Sequence, residues 1–294
     1  MNARLPAMPG AALALAALTI AAAPSPAHTP DLNLPRVSQK AEVMQTVGLT
    51  DITITYCRPG VKGRPIWGAL VPYDKVWRTG ANEATTFEVS TDCTVNGQPL
   101  PAGTYSLHTI PSTGDWTVIF NRVAKQWGSF AYSDTADALR LKVRPEAHEF
   151  TEWMSFSFPE VDVDKATIAL DWEKLRVPFE VEVKTVDTAL ASARAAMASL
   201  APDDFNTPYR AAAFAFQNNV ALDEARAWLE KSLSIKQTWL NLRLKADMLA
   251  KAGDAKGAID YAQRAIATGK AATPPAPADE LAKIEEEVAG WKKM

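Results

Sequence analysis

Between about Val37 and Val183 the chain alternates apolar and polar side chains with a period of two. Ile52, Ile54 and Tyr56 alternate with Thr53, Thr55 and Cys57; Trp116, Val118 and Phe120 alternate with Thr117 and Ile119; Ile168, Leu170 and Trp172 alternate with Thr167, Ala169 and Asp171. A period of two sends successive side chains to opposite faces, so these runs predict half-buried strands. Turn chemistry separates them at Val95-Asn96-Gly97-Gln98, Pro101-Ala102-Gly103, Ser112-Thr113-Gly114 and Arg144-Pro145. Short turns of this kind predict antiparallel hairpins rather than helical crossovers, and hence a β-sandwich or jelly-roll-like barrel.

From Thr185 the pattern changes. Alanine dominates, β-branched residues thin out, and apolar residues recur at helical spacing in segments of about 15 residues. Trp228, Leu229, Leu233, Trp239, Leu240, Leu242 and Leu244 form core stripes rather than a ligand box. A shift of 33 residues aligns Ala213 with Ala246, Ala225 with Ala258, Trp228 with Tyr261 and Leu233 with Ile266. That repeat resembles tetratricopeptide helix hairpins, whose period is about 34. A Pro/Ala linker from Thr273 to Pro277 precedes a last charged helix, Asp279 to Lys292. The predicted fold class is therefore α+β in two parts, a β-sandwich over 37–184 and an all-α, tetratricopeptide-like region over 185–294.

The N-terminus breaks both patterns. Arg4 precedes an apolar run from Ala11 to Ala23, and Ser25-Pro26-Ala27 offers small residues at the positions a signal peptidase inspects. Residues 1–27 thus read as a signal peptide cleaved after Ala27, with 28–36 as an extended lead-in carrying two prolines. The run is shorter than the roughly 18–20 residues a spanning helix needs, and no later segment qualifies. The expected location is periplasmic or secreted, as a soluble chain without a transmembrane segment.

Charge narrows the partners. With 31 Lys+Arg against 34 Asp+Glu the net charge is −3, too near neutral for nucleic-acid binding driven by bulk charge. Only Cys57 and Cys93 are present; in an oxidising compartment they either pair or stay separately buried, and spacing does not choose between these. His28, His108 and His148 lie at no finger-like spacing from a cysteine, so no metal and no cofactor is expected.

Candidate chemistry concentrates in residues 58–83, which interrupt the strand pattern for too long to be a hairpin loop. Arg58, Lys62, Arg64, Lys75 and Arg78 face Asp74 alone between Arg58 and Arg78, and Tyr73, Trp67 and Trp77 offer flat apolar walls. Guanidinium groups grip carboxylate or phosphate in bidentate fashion, so the loop reads as an anion pocket. The competing reading has these cations bonded to acids and loop carbonyls, holding an irregular segment together.

The strings Tyr56-Cys57-Arg58-Pro59-Gly60-Val61-Lys62-Gly63-Arg64, Leu70 through Thr85, Gly103-Thr104-Tyr105-Ser106-Leu107, Trp116 through Asn121, Lys125-Gln126-Trp127-Gly128 and Asp171 through Val177 carry a resemblance. They are similar to a bacterial family of exported proteins catalogued as domain of unknown function 2911, over roughly Val37 to Val183. The resemblance implies a β domain behind a signal peptide, often followed by helical repeats, and no established activity.

Within the motifs, Arg78-Thr79-Gly80-Ala81-Asn82-Glu83 suits a tight turn whose side chains converge. Convergence builds either an open pocket or a self-satisfied plug in which Arg78 pairs with Glu83 and Asn82 caps its own turn. Lys125-Gln126-Trp127-Gly128 ends a strand or faces the same cavity, and Gly80 and Gly128 are expected at left-handed or close-approach positions. No Gly-x-Ser-x-Gly is present, and Ser106 and His108 have no third member in sequence. The leading expectation is a non-catalytic binding module. Its site comprises Arg58, Lys62, Arg64, Tyr73, Trp77, Arg78, Asn82, Glu83, Lys125 and Trp127, receiving a small anionic or glycan ligand or an envelope protein. The alternative is an envelope-acting enzyme, hydrolase or lyase, with Glu83 as acid or base and Arg78 or Lys62 stabilising negative charge.

The leader yields a direct test. Intact-mass measurement of chain recovered from the exported fraction should give an N-terminus at His28, whereas full-length chain in the cytosol would remove the compartment reading.

Overall fold

The computed structural model describes residues 34–293; the leader and most of the lead-in lie outside the described residues. Ten strands follow in order: β1 (Gln39–Val47), β2 (Thr50–Arg58), β3 (Thr85–Val89), β4 (Cys93–Val95), β5 (Gln98–Leu100), β6 (Gly103–Ile110), β7 (Trp116–Asn121), β8 (Asp137–Val143), β9 (Glu146–Val161) and β10 (Lys165–Val183). They build a six-stranded sheet, β1-β2-β3-β6-β7-β8, and a four-stranded sheet, β5-β4-β10-β9, antiparallel throughout. Of the turns read from sequence, those at Asn96-Gly97 and Ser112-Gly114 make antiparallel hairpins, whereas Pro101-Gly103 and Arg144-Pro145 carry the chain from one sheet to the other. Asn96 and Gly97, both left-handed with φ of 45° and 76°, make the two-residue β4–β5 turn, whose twist matches the strands it joins.

The period-two pattern has its physical cause in the core. Ile52, Ile54, Phe87, Leu107, Trp116, Val118 and Phe120 meet Met154, Phe156, Ile168, Leu170, Trp172, Phe179 and Val181 in one buried cluster. At one end of the sandwich, four indoles replace aliphatic packing. Trp77 stacks on Trp172 with ring centroids 5.7 Å apart, and Trp67 stands edge-on to Trp77, Trp116 and Trp172 at 5.9, 4.8 and 5.6 Å. Edge-to-face and offset geometries suit the aromatic quadrupole and add to the area each ring buries.

Six helices follow: α1 (Thr185–Ala198), α2 (Asn206–Gln217), α3 (Leu222–Ile235), α4 (Trp239–Lys251), α5 (Ala255–Ala271) and α6 (Ala278–Trp291). The 33-residue shift is literal: α2 and α4 start that far apart, and so do α3 and α5. Caps set these starts. Thr238 and Asn241 form a reciprocal capping box for α4, and the Asp254 carboxylate accepts from Gly257 N at 2.9 Å for α5. Helices approach closely through small residues; a Cβ on Gly269 would lie 2.8 Å from Leu281 of α6.

The helices bury their own cluster, including Leu229, Leu242, Ala246, Ala262 and Ile284, distinct from the sandwich core. The junction is one residue long. Thr185 Oγ1 donates to Val163 O at 3.1 Å, and its side chain occupies the space a Cβ would need on left-handed Gly48 (φ 58°) in the β1–β2 turn. Separate cores predict separable stability. Residues 37–184 expressed alone should unfold in a single cooperative urea transition, and Trp172→Ala within them should lower stability by about 3–5 kcal/mol. A molten fragment would make the helices an integral layer of one domain.

Candidate functional site

The connection from β2 to β3 is as long as the sequence implies, and most of its cations are occupied. Residues 59–61 pair with β9 through Val61 N to Glu152 O (2.9 Å) and Met154 N to Pro59 O (3.0 Å). Arg58 Nε donates to Met154 O at 2.8 Å, and Arg64 donates to the carbonyls of Val61 and Gly60. Lys62 is left-handed, its backbone N–H donates to the Glu152 carboxylate at 2.9 Å, and its ammonium lies 5.6 Å from the Trp153 ring centre. These three cations brace the loop. Tyr73 packs beneath Gly68, where a Cβ would come within 2.7 Å of its ring.

Trp77 is a core residue rather than a pocket wall, with its indole N–H donating to Gly80 O at 3.0 Å. Its backbone exchanges both hydrogen bonds with Thr109 at 2.8 and 2.9 Å, extending the sheet beside β6. Thr79 is buried and left-handed, and Thr85 Oγ1 donates to its carbonyl at 2.6 Å. Gly80 is a close-approach position: a Cβ there would stand 3.1 Å from Cys57 O. Gly128 is left-handed at φ 66°.

Arg78 differs from its neighbours. The guanidinium is partly buried beside Cys57, its Nε is shielded without a hydrogen-bond partner, and among the described residues it forms no ion pair. Burial pulls its pKa below the ordinary value, opposed by the electrostatic influence of Cys57. The Cys57 thiol donates to Glu83 Oε2 over 3.6 Å. Asn82 does not cap its own turn; its amide donates to Ser38 O at 3.0 Å.

Residues 82–84 then pair with 126–128. Gly128 N donates to Asn82 O and Ala84 N to Gln126 O, both at 3.0 Å, and Glu83 lies opposite Trp127. Cross-strand partners share a face, so Glu83 and Trp127 project together, while Lys125 lies exposed in the bend before them. Trp127 is 59% exposed, an unusual position for so large an apolar ring. Arg78 and Glu83 thus both lie beside Cys57, with Trp127 across from Glu83, while Arg58, Lys62, Arg64, Tyr73 and Trp77 are engaged in holding the loop.

Sequence reasoning missed what lies beneath. Ser106 and His108, two apart on β6, both point to the outer face of the six-stranded sheet and are fully buried under residues 122–133. His108 Nε2 is 3.1 Å from Ser106 Oγ, and Nδ1 is 3.1 Å from Ser129 Oγ, the third member absent from the linear motif. Gln126 Nε2 donates to Ser106 Oγ at 3.1 Å, and the Tyr132 ring stands edge-on to His108 at 5.1 Å. Tyr132 donates to Asp137 at 2.8 Å, and its hydroxyl pKa is pushed up to about 12, by burial first and that carboxylate second. The alternation of β6 carried this signal; the covering segment did not. Because the pair is sealed from solvent, its geometry anchors residues 122–133 rather than offering a nucleophile.

Cys57 and Cys93 are both free and buried, on different sheets. Burial, with Asp92 second, pushes the Cys93 thiol up to about 12. Among the described residues no group of three or more His, Cys, Asp or Glu could hold a metal ion, and no helix is long and apolar enough to cross a membrane. Cavities among the described residues include one of about 220 Å³ at the β9–β10 turn around Glu160, Asp162 and Lys165, and one of about 290 Å³ between Leu49, α1 and α2.

Fold and surface together define a β-sandwich module with a polar cluster on one outer face, joined to a helical repeat. Residues 38–181 match the family model described as "Protein of unknown function (DUF2911)", and the β domain belongs to that family. No curated protein and no solved structure matches the chain.

His108 provides a pH test of the cluster's foundation. Burial lowers its pKa from 6.5 to about 4, so folding favours the neutral ring. The resulting stability is fully present above pH 6.5 and is lost as pH falls through 4, amounting to on the order of 2–3 kcal/mol. NMR of the His108 ring should show no titration between pH 8 and 5; a midpoint near 6.5 would mean the segment 122–133 does not seal it.

Proposed function

We propose that this is an exported, non-catalytic binding protein whose β domain takes a small ligand through an anionic group, carboxylate or phosphate. The site is Arg78 beside Cys57, with Glu83, Lys125 and the exposed Trp127 ring forming the rim. The observation that carries the reading is the Arg78 guanidinium, partly desolvated yet without an ion pair among the described residues. Withdrawing a cation from water is costly unless something pairs with it, and an uncompensated one in a protein surface suits an incoming anion. The planar fork matches carboxylate and phosphate bidentately, which an ammonium cannot reproduce. A flat ring such as Trp127 suits the apolar face of a sugar, so an acidic saccharide fits both elements at once. Export rests on the leader ending at Ala27.

The test is thermal unfolding with inorganic phosphate and with glucuronate as probes. A saturable rise in Tm is expected for the native chain with at least one probe, absent in Arg78→Met and in Arg78→Lys. Without probe, Arg78→Met should change stability by less than about 1 kcal/mol, because no ion pair is broken. A loss of roughly 3–5 kcal/mol in the ligand-free variant would instead identify a structural partner for Arg78 and remove the site from these residues.

A further inference from the structure

The two sheets end in four edge strands, β1, β8, β5 and β9, and three of these are blunted against further pairing. β5 is three residues long and holds Pro99, which has no N–H to offer a neighbour. β9 shifts register against β10 and is covered midway by residues 59–61. β8 presents the exposed cations Arg140 and Lys142. β1 differs, because it pairs with β2 over nine residues without a register shift and contains no proline.

The free backbone groups of β1 follow from its register. Asp51 O accepts from Ser90 N at 3.0 Å and Cys57 O accepts from Ala81 N at 3.2 Å, so odd-numbered residues of β2 turn their backbone groups away from β1. The even-numbered ones bond to their partners on β1, which include Ala41, Val43 and Gln45. Lys40, Glu42, Met44 and Thr46 therefore direct N–H and C=O outward, past the end of the sheet. Among the described residues no strand bonds to these groups, and the Thr46 carbonyl is met only by the Gln45 side chain, at 2.9 Å. The same four side chains are exposed on the outer face, Met44 by 53%, whereas Ala41 and Val43 pack against the sandwich core.

We infer that β1 pairs with β1 of a second copy of this chain, antiparallel about a two-fold axis, joining two six-stranded sheets edge to edge. A regular, unguarded edge is completed by another strand, and a strand opposed to its own copy closes the assembly at two. Side chains select the register. Backbone exchange requires outward-directed residues to oppose one another, which places the axis on Glu42, Val43 or Met44 if most of the strand is to pair. Centring on Glu42 opposes two carboxylates, and centring on Val43 leaves them diagonal neighbours. Centring on Met44 brings the two exposed thioether side chains together, sets Glu42 opposite Thr46 and keeps like charges apart. Glu42 keeps its bond from Thr55 Oγ1 of its own copy, at 2.9 Å. Such an axis runs perpendicular to the sheet, so both outer faces lie on one side; the pairing itself stands apart from the Arg78 site. An interface made by one strand is smaller than the roughly 800 Å² per partner of stable complexes, so the dimer depends on concentration.

Sedimentation velocity of chain recovered from the exported fraction, over about 1 to 200 μM, should show monomer passing to dimer and no larger species. Met44→Lys sets two cations across the axis and should weaken dimerisation roughly tenfold or more, with the urea unfolding transition unchanged. Met44→Pro removes an outward N–H without touching the β2 ladder and should weaken it likewise. Met44→Cys under mild oxidation should give a disulfide-linked dimer and Lys40→Cys should not, the native Cys57 and Cys93 being buried. A monomer throughout that range, open assemblies larger than a dimer, or undiminished dimerisation in folded Met44→Lys and Met44→Pro would overturn the proposal; so would crosslinking through position 40 in place of 44.

Discussion

Burial of Trp77 is the constraint on which the rest of the β domain depends. Its ring fills the end of the sandwich against Trp67 and Trp172, while its backbone exchanges hydrogen bonds with Thr109 at the margin of the sheet. A long loop costs entropy to order, and four clustered indoles supply the apolar contact that offsets it. Once Trp77 is committed to the core, Arg78 is held beside Cys57, half-buried at the surface. The position of that charge is thus a consequence of core packing one residue away.

The outer face of the six-stranded sheet then has to be covered. Ser106, His108 and Asn121 project from it, and polar groups excluded from water need partners. Residues 122–133 supply them. Ser129 and Gln126 reach His108 and Ser106, and Asn121 donates to Ser133 O at 2.9 Å and to Asp137 at 2.8 Å. The same segment returns as a short ladder beside Glu83 and leaves Trp127 in solvent. Buried polar anchoring and the exposed aromatic rim are two sides of one excursion, which is why Gln126 and Trp127, adjacent in sequence, have opposite environments.

The helical region solves a different problem. Two hairpins related by 33 residues bury alanine-rich faces closely, and α6 closes the open end. Glu280 and Glu287 of that helix both accept from Arg243 of α4, so one guanidinium bridges the seam.

Much of the architecture was legible in the sequence because it follows from local periodicity. Alternation around Ile54, Val118 and Leu170 specified strands, Asn96-Gly97 a turn, and the aligned alanines a helical repeat, each by rules spanning a few residues. Arg78 and Trp127 stand out as motif residues, but their environments are not separable in sequence from those of Arg58, Arg64 and Trp77. Local sequence leaves Asn82 either lining a pocket or capping its own turn and shows Ser106 and His108 without a third member; Asn82 in fact donates to Ser38 O, and His108 reaches Ser129. What the sequence by itself determined was which elements form and which residue types the long loop concentrates. Tertiary structure alone decided which cations bond to carbonyls and which remains beside a thiol, because that depends on acceptors brought from β9, β6 and residues 122–133, far away along the chain and adjacent only after the sheets close.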